Sequence, residues 1–335
     1  HADEAEAKEH TLRMLEVYRA FAEEDLSLPV IAGEKPENER FPGAVETWSI
    51  EAMMQDGKAL QAGTSHYLGT NFAAASGIRY QDREGVQMLA HTTSWGVSTR
   101  MVGGVIMTHG DDDGLRVPPK IAPWQVVILP MLREDEGDGG LVDYCDGLRV
   151  ALAGQQALGE PVRVLLDTKP GKPAQKRWDW VRKGAPVIVE VGGRDKDNGV
   201  VSLLRRDALW DEATGKLAFG TPSREIAGQT IPGILADMHG AMFSEAQERR
   251  EANITRGVSD FAAVEKHFAA PNKFTGWVEV QWSKPSGAAL DKVVERLKAL
   301  KLTIRNVPLG SLPADGPCIF TGAPAVERVL LGKAY

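Results

Sequence analysis

Polar side chains are concentrated in two strand-like segments and at the start of the helix that follows them. These polar residues are Gln61, Thr64, Ser65, His66, Thr92, Thr93, Ser94, Ser98 and Arg100. Because alternate residues of a strand share one face, Thr64 and His66 should project together. Ser94, Gly96 and Ser98 should likewise line one side of the neighbouring run. A continuous polar face of this kind favours a ligand, and the alternative is that the hydroxyls are ordinary strand residues.

Arg100 is predicted at the first turn of a helix, beside free backbone N–H groups and the positive end of the helix dipole. This position suits the binding of a phosphate chain. The alternative is a structural ion pair with a carboxylate such as Asp111.

Motifs of several large enzyme classes do not occur in the sequence, among them G-x-x-x-x-G-K-[ST], H-E-x-x-H, G-x-S-x-G and paired C-x-x-C. Their absence argues against covalent nucleophilic catalysis and against a metal-centred site. The chemistry that remains is done by positioning and charge.

A basic segment later in the chain is a second candidate for ligand binding. Its basic and aromatic residues are Lys169, Lys172, Lys176, Arg177, Trp178, Trp180, Arg182 and Lys183. Basic groups interleaved with rings suit single-stranded nucleic acid, because phosphates are neutralised and bases stack. The alternative is a solvated helix face with one tryptophan in the core. A third cluster, His109 with Asp111 to Asp113, could suggest a metal site but is better explained as a solvated loop.

The first third of the chain is predicted to form a helix and an antiparallel sheet. A surface helix is predicted over 2–26, with Met14, Val17, Tyr18 and Phe21 as its apolar stripe. An exposed connection follows over 33–43. Strands over 44–54, 58–68 and 86–97 and a helix over 99–109 are then predicted, with glycines that allow close packing on the sheet.

Strands and helices alternate after residue 123, which predicts a three-layer α/β domain around a mostly parallel sheet. The predicted strands are 124–132, 161–167, 186–191 and 200–209, and the predicted helices are 141–158 and 173–183. A helical stretch over 231–268 leads to a small mixed region with a strand over 276–282 and a helix over 288–300.

Length and composition describe a folded protein of two or three domains. The chain has 335 residues, 43% of them hydrophobic and 25% charged, and a net charge of −7, which gives no global attraction to phosphate. Its two cysteines, Cys145 and Cys318, cannot form a disulfide scaffold or a cysteine-rich metal site. Without a long apolar run or a signal peptide, we expect a cytoplasmic protein with no membrane partner.

Three strings together resemble the prolyl-tRNA synthetase family of class II aminoacyl-tRNA synthetases. They are KALQAGTSHYLGTNF at 58–72, HTTSWGVSTR at 91–100 and MTHGDDDGLRVPPKIAP at 107–123. The opening HADEAEA and the final GKAY are also similar to this family, in its archaeal/eukaryotic-type form without an inserted editing domain. The resemblance therefore runs from end to end.

The resemblance implies an α+β fold of three parts. Residues 1–122 would be part of the antiparallel-sheet catalytic domain, including motif 3. Residues 123–222 would be an α/β anticodon-binding domain, and 223–335 a linker helix with a small mixed α/β C-terminal domain.

The resemblance also implies an ATP-dependent, Mg²⁺-assisted activation of L-proline and its transfer to tRNA(Pro). Arg100 would clamp the γ-phosphate as the catalytic residue. The other implied ATP-binding residues are Gln61, Thr64, Ser98 and Thr99, and the implied proline-binding residues are His66, Ser94, Trp95 and Gly96. Lys176, Arg177, Glu190 and Arg194 would read the anticodon.

Motifs 1 and 2 of this family precede the sequence, so a chain that began at His1 would be expected not to form the adenylate. Complete relatives are expected to be homodimers. Only Cys318 matches the four zinc-binding cysteines of many relatives, so no structural zinc is expected. The alternatives are a non-catalytic tRNA-binding fragment of synthetase type and another class II synthetase, such as the threonyl enzyme.

Overall fold

The computed structural model of the protein describes residues 1–132, 140–269 and 274–335. The chain divides into two compact units. Unit 1 comprises residues 1–24, 28–108 and 247–335, and unit 2 comprises residues 25–27 and 109–246. Among the helices in the described ranges, none has the length and apolar character needed to cross a bilayer.

The first part of the chain alternates a helix with short strands. Its elements are α1 (Glu4–Ala20), β1 (Val30–Glu34), β2 (Glu46–Met53), β3 (Ala59–Tyr67), α2 (Asn71–Ser76), β4 (Arg79–Gln81), β5 (Gln87–Leu89), β6 (Thr93–Val97) and α3 (Arg100–His109).

Strands and helices alternate in the middle part of the chain. Its elements are β7 (Val126–Pro130), α4 (Leu141–Ala153), β8 (Gln156–Ala157), β9 (Glu160–Pro161), β10 (Val164–Leu166), α5 (Pro173–Arg182), β11 (Val187–Val191), α6 (Gly193–Asp197), β12 (Ser202–Arg205) and α7 (Arg224–Ala252).

The last part is mixed. Its elements are β13 (Ile254–Thr255), α8 (Phe261–Phe268), β14 (Trp277–Trp282), α9 (Gly287–Ala299), β15 (Thr303–Ile304), β16 (Val307–Pro308) and β17 (Glu327–Gly332). The predicted helical stretch over 231–268 is therefore wrong as one unit, because β13 separates two helices. The predicted last region began at residue 272, which lies outside the described residues.

Helix α1 covers one face of a sheet, but not with the predicted stripe. Its buried residues are Ala7, Thr11, Leu15 and Tyr18. Val17 and Phe21 are 50% and 41% exposed, so they point away from the core. The prediction failed because the hydroxyl of Thr11 counts as polar in a pattern, whereas here it donates to the carbonyl of Ala7 at 2.8 Å and is fully buried.

A five-stranded antiparallel sheet forms the centre of unit 1, in the order β16-β1-β2-β3-β6. Strand β1 lies where the sequence predicted the start of an exposed connection, and Lys35 just after it is buried. Gly104 of α3 permits the predicted close packing, because a Cβ there would lie 3.0 Å from Leu60 of β3.

Unit 2 contains a four-stranded sheet in the order β10-β7-β11-β12, with β10, β7 and β11 parallel and β12 antiparallel. Helix α4 packs into one apolar cluster with Val126 and Ile128, and α5 contributes to the other with Val127 and Leu129. Alternate residues of β7 thus face opposite layers, which confirms the predicted three-layer α/β arrangement.

A third sheet, in the order β13-β14-β17-β15, belongs to unit 1. The segment from β15 to β16 serves two sheets, because β15 pairs with β17 whereas β16 pairs with β1. A Cβ at Gly33 would lie only 2.3 Å from the carbonyl oxygen of Val307, so glycine is required for this contact. The compact units change at 24/25, 27/28, 108/109 and 246/247, and the predicted domain boundaries at 122 and 222 stay a prediction.

Candidate functional site

The polar face predicted on β3 and β6 is formed by cross-strand neighbours. Thr64 lies directly opposite Gly96, and His66 lies opposite Ser94. A Cβ built on Gly96 would meet no atom within 4 Å, so this glycine leaves space above the face. The two predicted rows are therefore one continuous surface.

His66 is held by two hydroxyls on the same face. Its Nδ1 lies 3.0 Å from Oγ1 of Thr47, and its Nε2 lies 3.1 Å from Oγ1 of Thr64. Burial lowers the pKa of the imidazole below its ordinary value of 6.5, so the ring is neutral at pH 7. A neutral ring between two rotatable hydroxyls can either donate or accept a hydrogen bond, as a small polar ligand requires.

Two aromatic side chains border this surface. The Phe41 ring is 5.2 Å from the His66 ring and 6.4 Å from Phe72, measured between centroids. Both phenylalanines are partly exposed, and Asn71 fixes the loop below them by donating to the carbonyl of Gly43 at 3.0 Å. The surface therefore combines a polar floor with an apolar border.

Arg100 begins α3 beside the polar face. Its Nη1 donates to the carbonyl oxygen of Gln61 at 3.2 Å, and the side chain is exposed. The alternative pairing with Asp111 is wrong, since Asp111 binds Arg206. Ser98 accepts the backbone N–H of Arg100 at 3.3 Å, and the carbonyl of Thr99 accepts the N–H of Val102, so both residues fix the first turn of α3.

A register shift brings Gln61 to this face. The pairing of β2 with β3 changes between Ile50 and Glu51, and Gln61 lies opposite Glu51 although Thr64 lies opposite Ser49. Bulges of this kind re-aim side chains. Without the shift, an odd spacing of three would place Gln61 and Thr64 on opposite faces.

Trp95 does not join the polar face. It lies opposite Ser65, whose hydroxyl donates to the carbonyl of Thr11 in α1, and its ring stacks on His10 at 5.9 Å. The structure thus contradicts the inclusion of Trp95 with His66, Ser94 and Gly96 in one pocket. Strand alternation is the reason, because neighbours of Ser94 along β6 must point the other way.

Thr47, Phe41 and Phe72 could not be identified from the polar pattern of β3 and β6. Alternation along β2 is the signal that could have found Thr47, which lies opposite His66 and is buried. The two phenylalanines lie in connections, where no periodicity predicts which side chains meet.

A second candidate site lies at the carboxyl ends of the parallel strands in unit 2. A cavity of about 180 Å³ is lined by residues 129–132 at the end of β7, by 168–171 after β10 and by Pro173 and Lys176 of α5. The helices that follow β7 and β10 in the chain, α4 and α5, pack on opposite faces of the sheet, and such a switch point is the usual place for a ligand. Lys176 is fixed there because its Nζ donates to the carbonyls of Asp167 and Lys169 at 2.7 and 2.8 Å.

Glu190 and Arg177 face each other near this edge. Their closest contact is 3.4 Å, from Nη1 to Oε2, while Oε1 of Glu190 and Nε of Arg177 are buried without a partner in the described residues. Burial raises the pKa of Glu190, and Arg177 opposes this only in part. Unpaired buried polar atoms are costly to the fold and therefore point to a ligand. Arg194 is exposed in the short α6 that follows.

The two tryptophans of the basic segment do not form stacking platforms. Trp178 and Trp180 pack on the apolar cluster of Val181 and Ile188, and Nε1 of Trp180 donates to Asp167 at 2.9 Å. Both rings are partly buried, which favours the alternative of a solvated basic face over a packed layer, with two tryptophans packed on that layer rather than one.

The Asp-rich turn at 111–113 is an anchored loop. Arg206, whose side chain is 2% exposed, donates to both carboxylate oxygens of Asp111. Asp113 accepts from Nε1 of Trp210 at 2.7 Å. The loop is solvated as expected, since Asp111 is exposed and Asp113 half-buried, but both carboxylates are also anchored by these contacts.

Cys318, which matches one of the zinc-binding cysteines of many relatives, accepts hydrogen bonds from two hydroxyl groups. Burial acts to raise the pKa of the thiol, but hydrogen bonds from Ser283 and Thr321 outweigh it and lower the pKa. Within the ranges that the structure describes, no group of three or more His, Cys, Asp or Glu could hold a metal ion. The expectation of a zinc-free domain stays a prediction.

Residues 125–217 match the family model described as "Anticodon binding domain". The α/β sheet of unit 2 and its site at the strand ends therefore belong to a domain of this class.

Three relatives are similar to the chain over all of its length, and each is named proline--tRNA ligase. They come from Erythrobacter litoralis, Novosphingobium aromaticivorans and Sphingopyxis alaskensis, at 66%, 60% and 62% identity. The alignments cover 100% of this chain and 65%, 65% and 63% of the relatives. The chain is thus similar to these relatives over its own full length and spans less than two-thirds of theirs.

Proposed function

We propose that the polypeptide carrying this chain activates L-proline with ATP and transfers it to tRNA(Pro). The observation that carries the proposal is the pairing of β3 with β6, which supports one ligand face of Thr64, His66, Ser94 and Gly96 next to Arg100. The similarity to proline--tRNA ligases supports the choice of amino acid.

In this proposal a carboxylate oxygen of proline attacks the α-phosphorus of ATP. The new P–O bond forms prolyl-adenylate, and the bond to pyrophosphate breaks. No protein nucleophile is needed, so the protein acts by holding two anions in line and offsetting the charge that develops. Arg100 would hold the γ-phosphate, assisted by Ser98 and Thr99, which fix its turn.

Gln61 and Thr64 would contact the adenosine side of the ligand. His66, Ser94 and Gly96 would surround the imino acid, with Phe41 against its apolar ring. The described residues offer no metal cluster, so Mg²⁺ would enter on the phosphates of ATP and supply charge neutralisation when bound.

The anticodon site would lie at the strand ends of unit 2. Lys176 and Arg194 would approach phosphates or base edges, and the pair of Glu190 with Arg177 would exchange its unsatisfied contacts for those of a base. A carboxylate accepts from base N–H groups, whereas arginine suits the O6/N7 edge of guanine. We propose the cytoplasm as the place of action and a homodimer as the assembled form.

The test is proline-dependent exchange of labelled pyrophosphate into ATP, run on the 335-residue chain and on a polypeptide of the full length of its relatives. We expect exchange in the longer protein, and we expect Arg100→Ala to abolish it. Arg79→Ala is the matched control, because Arg79 is exposed on β4. A longer protein that binds tRNA but shows no exchange with proline would favour the non-catalytic alternative.

A further inference from the structure

A buried charge cluster lies next to Thr64 and Gln61 on the same face of the sheet of unit 1, and the site described above does not use it. Glu51 of β2 is fully buried, and the side chains of Lys35 and Arg305 are 2% and 7% exposed. Lys35 Nζ donates to Oε1 of Glu51 at 2.8 Å, and Arg305 donates to Oε2 through Nε at 3.1 Å and Nη2 at 2.7 Å. Both carboxylate oxygens are therefore occupied.

The cluster continues into the floor of the ligand face. Ser49, two residues before Glu51 on the same face of β2, donates its hydroxyl to Oε1 of Glu51 at 3.0 Å. Ser49 lies directly opposite Thr64, and Glu51 lies opposite Gln61. These cross-strand partners are the two residues proposed to hold the adenosine.

Arg305 reaches Glu51 from the shared segment between β15 and β16. Nη1 of Arg305 donates to Oγ1 of Thr303 at 2.8 Å, its backbone N–H binds the carbonyl of Leu330, and the Asn306 side chain next to it donates to Ile31 of β1. Arg305 is thus held in place by Thr303 and Leu330 in addition to its ion pair with Glu51. The planar guanidinium of an arginine donates several hydrogen bonds in fixed directions at once, and the ammonium group of a lysine cannot replace this geometry.

We infer that Arg305 is a positioning residue for the ligand face: through Glu51 and Ser49 it sets the place of Thr64 and Gln61 on β3. This inference rests on the proposed function for the identity of the ligand. A buried carboxylate without its full set of donors would move toward other partners or take up a proton, and Ser49 would move with it. The carboxyl-terminal region is then a part of the activation site rather than an accessory.

Arg305→Lys is the test, with Arg328→Lys as its control. Arg328 lies on β17 of the same unit and also forms ion pairs, with Glu279 at 3.2 Å and Asp315 at 3.1 Å, but none with the ligand face. The first measurement is the affinity for a non-hydrolysable prolyl-sulfamoyl adenosine. We expect a tenfold or larger loss for Arg305→Lys and less than a twofold change for Arg328→Lys.

The second measurement needs no ligand and is the NMR signal of the Thr64 methyl group. We expect it to shift in Arg305→Lys and in Ser49→Ala but not in Arg328→Lys. Both measurements use the polypeptide of the full length of the relatives. If that unsubstituted polypeptide does not bind the analogue, the proposed function is wrong, and the Thr64 signal alone decides on Arg305. An unchanged Thr64 signal with unchanged affinity would show that Arg305 is only structural and overturn the inference. If Arg305→Lys does not fold, Ser49→Ala decides by the same two measurements.

Discussion

Asp111 and Arg206 form a bidentate ion pair that fixes the turn after α3 within unit 2. The guanidinium also donates to the carbonyls of Leu115 and Val181, at 2.9 and 3.2 Å, so it joins three segments of the chain. The exposed acidic turn is therefore also a structural anchor.

Asp111→Asn should destabilise the protein by about 1–3 kcal/mol, because a buried guanidinium then loses its charged acceptor. Burial alone would raise the pKa of Asp111, but Arg206 lowers it below the ordinary 3.8. The stabilisation is therefore present at neutral pH and lost as pH falls through the lowered pKa. Urea unfolding at pH 7 measures the effect, with the exposed neighbour in Asp112→Asn as the control. Equal stability of the two variants would contradict the anchor.

Gly96→Ala should leave the fold intact and obstruct the ligand face. The new methyl meets no protein atom within 4 Å, so we expect a Tm within about 2 °C of the unsubstituted protein. The same methyl lies beside Thr64, where the imino acid is proposed to bind. Isothermal titration with the prolyl-adenylate analogue should show at least a tenfold loss. Gly240→Ala, an open helical position far along the chain, should bind normally, and normal binding by both variants would exclude this face.

His66 should make ligand binding sensitive to acid. Its pKa is lowered by burial, so the neutral ring predominates at pH 7. We expect affinity for the analogue to be nearly constant around neutral pH and to fall as pH decreases through the lowered pKa. His66→Asn should remove that dependence and weaken binding roughly fivefold, as loss of one hydrogen bond of about 1 kcal/mol implies.

The control for this profile is His10→Asn, because His10 stacks on Trp95 on the other side of the sheet. Its acid profile should match that of the unsubstituted protein. If His10→Asn flattened the profile and His66→Asn did not, the titrating group would lie outside the proposed pocket.

Glu190→Gln should stabilise the protein at pH 7 while weakening tRNA binding. Burial raises the pKa of Glu190, so the folded state binds its proton more tightly than the unfolded state, and ionisation at neutral pH destabilises the fold. We expect Tm to rise by about 2 °C at pH 7, as a gain of roughly 0.5–1 kcal/mol would give. The gain should fade below pH 4.5, where both states are protonated.

The exposed Glu212→Gln serves as the control for both measurements. It should change neither Tm nor the affinity for a tRNA(Pro) anticodon stem-loop. A Glu190→Gln variant that gains stability and keeps full affinity would remove Glu190 from the proposed anticodon site.

Alternation and spacing predicted correctly which polar residues share a face, because strand geometry leaves little freedom. Thr64, His66, Ser94 and Gly96 share a face since each pair is two residues apart on a regular strand. Gln61 could not be placed this way, because a register shift depends on how two strands pair and not on the pattern of either one.

Contacts between distant segments were the part that the sequence could not supply. Lys35 looks like a solvated residue of a polar connection, and only its ion pair with Glu51 makes its burial possible. Trp178 and Trp180 look like stacking rings until the layer beneath them is known. In each case the partner lies in another segment of the chain, and no local sequence periodicity indicates that the two segments meet.

The shared segment from Thr303 to Pro308 has a consequence for anyone shortening this protein. Truncation before residue 303 would remove β16 and leave β1 as a bare edge with unpaired backbone groups, a template for aggregation. Expression of the first 300 residues alone should therefore give insoluble material rather than a smaller active unit.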